Sequence, residues 1–463
     1  MSPHVSELAS IDPKHVRGLV HGRVITPDDD DYDEQRTIML GGVDTRPALI
    51  VRVADTDDVA AVIALARDHG LEIAVRSGGH SGAAHGTIEG GIVIDVRDLD
   101  RLEIDEAART AWAGSGLTTG AYTIAAAEIG LATGFGDTGS VGIGGITTGG
   151  GIGYLVRSHG LTIDSLLAAE IVTADGAVHV VDESHEPDLF WAIRGAGANV
   201  GVVTRFKFRL YPLSGIVGGM LLLPATADTI DGFVQAADAA PEGLSTIANV
   251  MPCPPMPFVP TEHHGKVVIL GLMCWAGPQE EADAVLAPFR ALATPIADML
   301  APIPYTGMYP PEEPDYHPLA ITRTLFMDSF DRELGQTIVD HLDASDAEMR
   351  VAQIRVLGGA MARVDPHATA FAHRDRRLMV NVASFYTGDD DRARREAWVI
   401  GLADALRQGP GAYVNFLADE GPERVREAYP GRTWDRLVAV KRRYDPENLF
   451  RRNQNIPPED PAA

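Results

Sequence analysis

The sequence predicts an α+β protein in which the two ends of the chain build one domain and a second unit is inserted between them. Three features point there. Residues 1–213 alternate helix-like and strand-like patterns. Residues 214–400 change to a proline-rich texture, with CPPMPFVP and PPEEPDYHP. From about residue 401 the chain turns helical again and closes on YDPENLFRRNQNIPP. We therefore divide the chain as 1–213, 214–400 and 401–463. A length of 463 residues favours more than one folding unit.

The elements follow in order. Asp57–His69 places Val59, Val62, Ile63 and Ala66 on one face of a helix. Glu72–Val75 and Gly91–Val96 read as buried strands. Thr118–Ile129 reads as a helix with Thr118 as its N-cap. Glu170–Ala174 and Ala177–Val181 flank Asp175-Gly176, a hairpin signal. Gly201–Leu210 alternates like a strand with one polar face, and in the inserted unit Val267–Met273 and Leu378–Phe385 read as strands.

Composition excludes several classes. With 45% hydrophobic and 22% charged residues the chain can bury large cores. A formal charge of −26, including the run Asp28–Asp31, argues against nucleic acid or an anionic membrane as partner. No apolar run reaches the roughly 18 residues needed to span a bilayer. The N-terminus lacks a basic start followed by an apolar stretch, so no secretory leader is expected. With only two cysteines, Cys253 and Cys274, no disulfide framework is expected and a reducing, cytoplasmic location is the expectation. Only Lys14, Lys207, Lys266 and Lys441 are lysine. The pair His263-His264 lacks further ligands at metal spacing, and no metal is assigned.

Two glycine-rich segments carry the chemistry. VRSGGHSGAAHG follows a strand and holds Gly78, Gly79 and Gly82, with Ser77 and Ser81 adding hydroxyl donors. Glycines let backbone N–H groups converge on an anion, so a diphosphate is a natural guest, although an ordinary turn would read the same. The second segment, Gly134–Tyr154, contains ten glycines interleaved with Phe, Ile, Val and Thr. Such a loop is packed, and close approach to a large flat or phosphorylated ligand explains it. A literal Gly-x-Gly-x-x-Gly occurs at Gly134, Gly136 and Gly139, but a helix-like segment precedes it and more glycine follows where a helix should open. A register from Gly142 and Gly144 fails at Thr147. A nicotinamide or P-loop nucleotide site is therefore not expected.

At these residues a family resemblance enters. Arg76-Ser77-Gly78-Gly79-His80-Ser81 resembles the flavin-attachment motif of the berberine bridge enzyme-like FAD-linked oxidases, members of the vanillyl-alcohol oxidase/p-cresol methylhydroxylase superfamily with a 6-hydroxy-D-nicotine oxidase-like bacterial branch. Ser140-Val141-Gly142-Ile143-Gly144-Gly145, then Gly149, Gly150 and Gly153, is similar to the second FAD loop. Gly160-Leu161 to Asp164, Val172–Gly176, Tyr444–Phe450 and Asn453–Ile456 continue the likeness. The resemblance implies a two-part FAD-binding domain of the p-cresol methylhydroxylase type, with an inserted substrate domain whose antiparallel sheet is backed by helices. It implies FAD bonded through its 8α-methyl to His80, with Thr138, Gly139, Val203, Asn453 and Asn455 among the further cofactor contacts. Many relatives attach the flavin again through a cysteine where Thr138 stands, so a single covalent bond is expected. Val141 stands at the family's gatekeeper position and looks oxygen-permissive.

The implied reaction is hydride removal from a carbon next to N or O of a small amine, alcohol or sugar, with molecular oxygen as acceptor and hydrogen peroxide as product. A proton acceptor helps such chemistry. Tyr413-Val414-Asn415-Phe416 resembles the family's Tyr-x-Asn-Tyr, whose second tyrosine acts as base in several relatives, but Phe416 cannot accept a proton. Tyr413 and Tyr386 remain as candidates, and an amine substrate that arrives deprotonated would need no strong base. His85 lies just past the first loop and is an equally plausible loop residue. Two other readings stay open at this point: a dehydrogenase with another acceptor, and a flavin-binding carrier or sensor. A monomer or homodimer is expected.

Overall fold

The computed structural model describes residues 12–309 and 315–459; the proline-rich stretch 310–314 lies outside them. The N-terminal part has two lobes. In the first, β1 (Arg23–Ile25), β2 (Leu49–Arg52), β3 (Ile73–Arg76) and β4 (Ile92–Asp95) form a sheet of order β1-β2-β4-β3, with β2 and β3 parallel to β4. Helix α1 (Thr56–Asp68) links β2 to β3, as a parallel pair requires. Asp55 caps it by accepting from the Asp58 N–H. Val59, Val62, Ile63 and Ala66 are buried, the face that the 3.6-residue period predicts, and pack on Leu49, Val51, Ile92 and Ile94.

The second lobe is an antiparallel sheet of β5 (Leu102–Asp105), β6 (Thr110–Gly114), β7 (Leu166–Val172), β8 (Val178–Val181) and β9 (Val202–Arg209), in the order β5-β6-β9-β7-β8. The β7–β8 hairpin turns at Asp175-Gly176, where Gly176 takes φ +82°. Helix α2 (Thr119–Ala127) starts at Thr118, whose side chain accepts from the Ala121 N–H at 3.1 Å.

The inserted unit is an eight-stranded sheet. Its main strands are β10 (Ile216–Pro224), β11 (Leu244–Pro252), β12 (Val267–Trp275), β13 (Ala320–Met327), β14 (Arg350–Val356) and β15 (Leu378–Phe385), ordered β10-β12-β11-β14-β15-β13 with antiparallel pairing. Helices α3 (Ala227–Ala239), α4 (Arg332–Ala344) and α5 (Asp389–Leu406) back one face, where Ile230, Phe233, Ile338, Leu342, Val399 and Leu402 meet Leu221, Val250, Ile354 and Val380. Because the apolar positions of α5 continue to Leu406, that helix crosses residue 400 unbroken and stays on this sheet. The other face of the sheet is left for the first domain.

The two parts are tied by arginines. Arg157 donates to the carbonyls of Ala237 and, at 2.9 Å, Ala240, placing a cation at the C-terminal end of α3. Arg374 grips Asp164 with two bonds of 2.6 and 2.8 Å. The C-terminal return carries α6 (Arg432–Tyr444), whose fully buried Lys441 donates to the carbonyls of Asn199 and Phe450 and to Asp445 Oδ2, at 2.9, 2.8 and 2.6 Å. Asp445 also accepts the N–H groups of Leu449 and Phe450. This knot is what YDPENLF builds, and it seats Phe450 in the core of the first lobe.

Candidate active site

A cavity of about 780 Å³ lies between the N-terminal lobes, the exposed face of the inserted sheet and the C-terminal return. That volume suits a large cofactor together with a small ligand. Both glycine segments line it. They meet backbone to backbone: a Cβ at Gly78 would run into the Gly142 amide nitrogen, and a Cβ at Gly142 into Ser77 Oγ and the Gly78 nitrogen. The Ser115 carbonyl pins both loops, accepting Ser77 Oγ at 2.7 Å and the Gly144 N–H at 3.1 Å. Gly79 holds φ +71°, open to glycine at little cost. Among the described residues, the N–H groups of 77–82 donate no backbone hydrogen bond. These N–H groups line the cavity and are open to an incoming acceptor.

His80 stands half-buried on this wall. Burial pulls its proton affinity below the usual histidine value, against the opposing pull of a backbone contact at Ser140. Its imidazole is therefore neutral at neutral pH. His85 also lines the cavity, and burial, with Arg452 beside it, pushes its pKa down to about 4.

The remaining expected site residues divide into wall and support. Ser81, Thr138, Val141, Gly142, Gly144, Gly145, Gly149, Val203, Asn453 and Tyr386 line the cavity. Arg76 lines it too, but its guanidinium is tied to Asp95 Oδ2 at 2.7 Å and to the Gln35 carbonyl at 2.6 Å, so it anchors the root of the loop, with Nη1 unpartnered. Gly139, Gly150, Gly153 and Asn455 are not on the cavity surface. Gly139 gives its carbonyl to the Gly120 N–H at 2.8 Å, Gly150 backs onto Phe371 and Tyr413, and Gly153 lies against the carbonyls of Phe135 and Gly136. A short helix, Ile143–Thr148, opens at Gly142, where the sequence reading has only glycine.

Tyr413 is buried under the second loop, and its hydroxyl oxygen accepts the N–H groups of Gly151 and Ile152 at 3.0 and 3.2 Å and Asn415 Nδ2 at 3.0 Å. Burial raises the phenol's proton affinity while these donors lower it. Asn415 also donates to the Ile146 carbonyl at 3.1 Å and occupies the space that a Cβ on Gly149 would need. Tyr386 is half-buried on the cavity wall, its N–H bonded to the Leu319 carbonyl at 3.0 Å and the Arg392 guanidinium 5.9 Å from its ring.

Sequence reasoning missed the inserted sheet's contribution. Gln353, Arg355 and Asn381 line the cavity from β14 and β15, and Asp137 faces them from the second loop. Arg355 pairs with Asp137 and lies 5.4 Å from the Phe416 ring. In β14, Gln353 and Arg355 alternate with the core residues Ala352, Ile354 and Val356, a period-2 signal that the sequence does carry.

A backbone cradle without room for Cβ atoms, uncommitted N–H groups and unpartnered polar atoms on Arg76 and Asn453 fit a dinucleotide such as FAD. The fold and the site together define an FAD-linked oxidoreductase. Residues 47–182 match the FAD binding domain family, and residues 412–457 match the family described as berberine and berberine like. The chain is 32% identical to (R)-6-hydroxynicotine oxidase of Paenarthrobacter nicotinovorans over 95% of its own length and 97% of that protein's. It is 29% identical to an uncharacterized FAD-linked oxidoreductase of Bacillus subtilis, covering 94% and 97%. The crystal structure of 6-hydroxy-D-nicotine oxidase from Arthrobacter nicotinovorans superposes with a TM-score of 0.84 at 30% identity, covering 95% and 98%. The chain belongs to the berberine bridge enzyme-like family of FAD-linked oxidoreductases. No described helix is long and apolar enough to cross a membrane.

Proposed function

We propose that the protein is an oxidase that carries FAD on a single covalent bond to His80 and oxidises a carbon next to the nitrogen or oxygen of a small amine, alcohol or sugar. When bound, FAD takes the two electrons as hydride and hands them to molecular oxygen, giving hydrogen peroxide. The observation that carries this reading is His80: a neutral imidazole on the wall of a glycine cradle, competent as a nucleophile at neutral pH. Val141, on the same wall, leaves the approach open to oxygen.

The chain's own residues divide the remaining work. Ser77, Gly78, Gly142 and Gly144 hold the cradle, and Thr138 offers no thiol for a second bond. Tyr413, with three donors already on its oxygen, positions the Gly151–Ile152 backbone and is poorly placed to receive a proton. Phe416 puts an aromatic ring beside Arg355 and offers no proton acceptor, which suits an amine that arrives deprotonated, and one relative is named for 6-hydroxynicotine.

Purified protein unfolded in acid should keep its yellow colour on the chain, and His80→Ala should release it. Free flavin from the wild type would overturn the covalent reading. Reduced enzyme mixed with oxygen should reoxidise rapidly in stopped flow; slow reoxidation would overturn the oxidase reading and leave the attachment standing.

A further inference from the structure

The Arg355–Asp137 pair is not needed to explain either the cradle or His80. Asp137 comes from the second glycine loop and Arg355 from β14, so the pair forms only when the two domains close on the cavity. Arg355 is nearly excluded from solvent, with its side chain 4% exposed, yet it lines the cavity beside Asp137 and Phe416. Its orientation is fixed. Gln353 Oε1 accepts from Nε at 3.0 Å and from Nη2 at 2.8 Å, Gln353 Nε2 donates to Asn249 Oδ1 at 2.9 Å, and Asn249 donates to the Leu270 carbonyl at 3.2 Å. The Phe416 ring lies 5.4 Å from the guanidinium. Among the described residues no hydrogen bond engages Nη1. In a chain of net charge −26, a buried guanidinium held this firmly on the cavity wall asks for a function.

A fixed cation in a poorly hydrated site stabilises negative charge that develops beside it, with little reorganisation. Resting on the oxidase reading above, we infer that Arg355 is the group that stabilises the anion formed when oxygen takes its first electron, and that Asp137 sets how much of its charge is felt. The balance is complete. Reduced FAD (as FADH⁻) gives two electrons and one proton to O2, one further proton comes from water, which leaves as hydroxide, and the products are oxidised FAD, H2O2 and OH⁻. Arg355 forms and breaks no bond in this step.

The geometry makes two substitutions pull in opposite directions, which a purely structural ion pair would not. Arg355→Met removes the cation; Asp137→Asn keeps the shape of the pair and uncovers the cation. Two readouts on flavin-loaded holoenzyme test it. One is the reoxidation rate of photoreduced enzyme with oxygen. The other is the affinity for sulfite, an anionic probe that adds to oxidised flavin and bleaches its visible band in a simple titration. Arg355→Met should lower both by about tenfold or more, Asp137→Asn should raise both by a similar factor, and Arg355→Lys should keep most of the wild-type values. If Arg355→Met stays within about twofold of wild type in both readouts, or if both substitutions move the values the same way, the inference is overturned. A slow wild type toward oxygen, with the opposed sulfite shifts intact, instead sinks the oxidase reading and leaves the charge assignment standing.

Discussion

The cavity has two walls made by different means. One wall is backbone: the loops at 77–82 and 134–153 touch through glycines and present N–H groups. The other is side chain: β14 and β15 present Gln353, Arg355 and Asn381 from a regular sheet. A backbone wall binds what the whole family binds, because N–H groups cannot be exchanged by mutation. A side-chain wall can change with each residue, and that is where specificity resides. The sharpest way to break this contrast is one substitution on each side. Gly142→Val should drive a branched side chain into Ser77 and Gly78, cost about 5 kcal/mol, and abolish FAD retention. Asn381→Ala removes an oxygen that already lacks a partner and should cost less than about 1 kcal/mol with FAD kept. Flavin-to-protein absorbance ratios and urea melts decide it; equal flavin loss from both would end the contrast.

The contrast also explains what could be read in advance. The helix Thr56–Asp68, the hairpin at Asp175-Gly176 and the cap at Thr118 were legible because each rests on local chemistry: an apolar stripe, a left-handed glycine, a side-chain acceptor. The glycine loops were legible because so much glycine has no other use in a packed segment. Four expected contacts, Gly139, Gly150, Gly153 and Asn455, were placed behind the wall, since glycine serves close backbone packing as readily as ligand approach. Asp137 was hidden among the glycines of its own loop. Arg355 was hidden because an arginine in a strand reads as a solvent-facing residue until the opposite domain covers it. Arg76 carries the converse lesson: its place in the motif points to the cofactor, while Nε and Nη2 are spent on Asp95 and the Gln35 carbonyl and only Nη1 is left over.

One side chain underpins the backbone wall itself. Lys441 satisfies all three of its donors inside the C-terminal return, and Asp445 is as buried as its partner. Lys441→Met should leave that carboxylate unpaired and cost about 3–5 kcal/mol in urea unfolding. The double variant Lys441→Met/Asp445→Leu should recover part of the loss, because an apolar pair leaves no stranded charge. If the single variant melts like wild type, the return is held by its apolar contacts alone and the wall needs no such knot.

The seam between the inserted unit and the C-terminal return is a place where acid should act. His373 is 5% exposed, lies with its ring centroid 4.7 Å from that of Phe326 and donates from Nε2 to the Glu427 carbonyl at 2.9 Å. Burial is the main cause that pushes its pKa from 6.5 to about 4, with Arg376 adding to it and the Glu427 bond opposing. The unfolded chain therefore takes up this proton before the folded one does. The contribution of His373 to stability is fully present above pH 6.5 and is lost as pH falls from 6.5 toward 4. Over that window it amounts to at most about 3 kcal/mol. Urea melts of wild type and His373→Gln at pH 7.5 and pH 4.5 separate it from other groups: the wild type should lose more stability on acidification than the variant. Parallel losses would mean that the seam is indifferent to this proton, and that the domains are joined chiefly through Arg157 and Arg374.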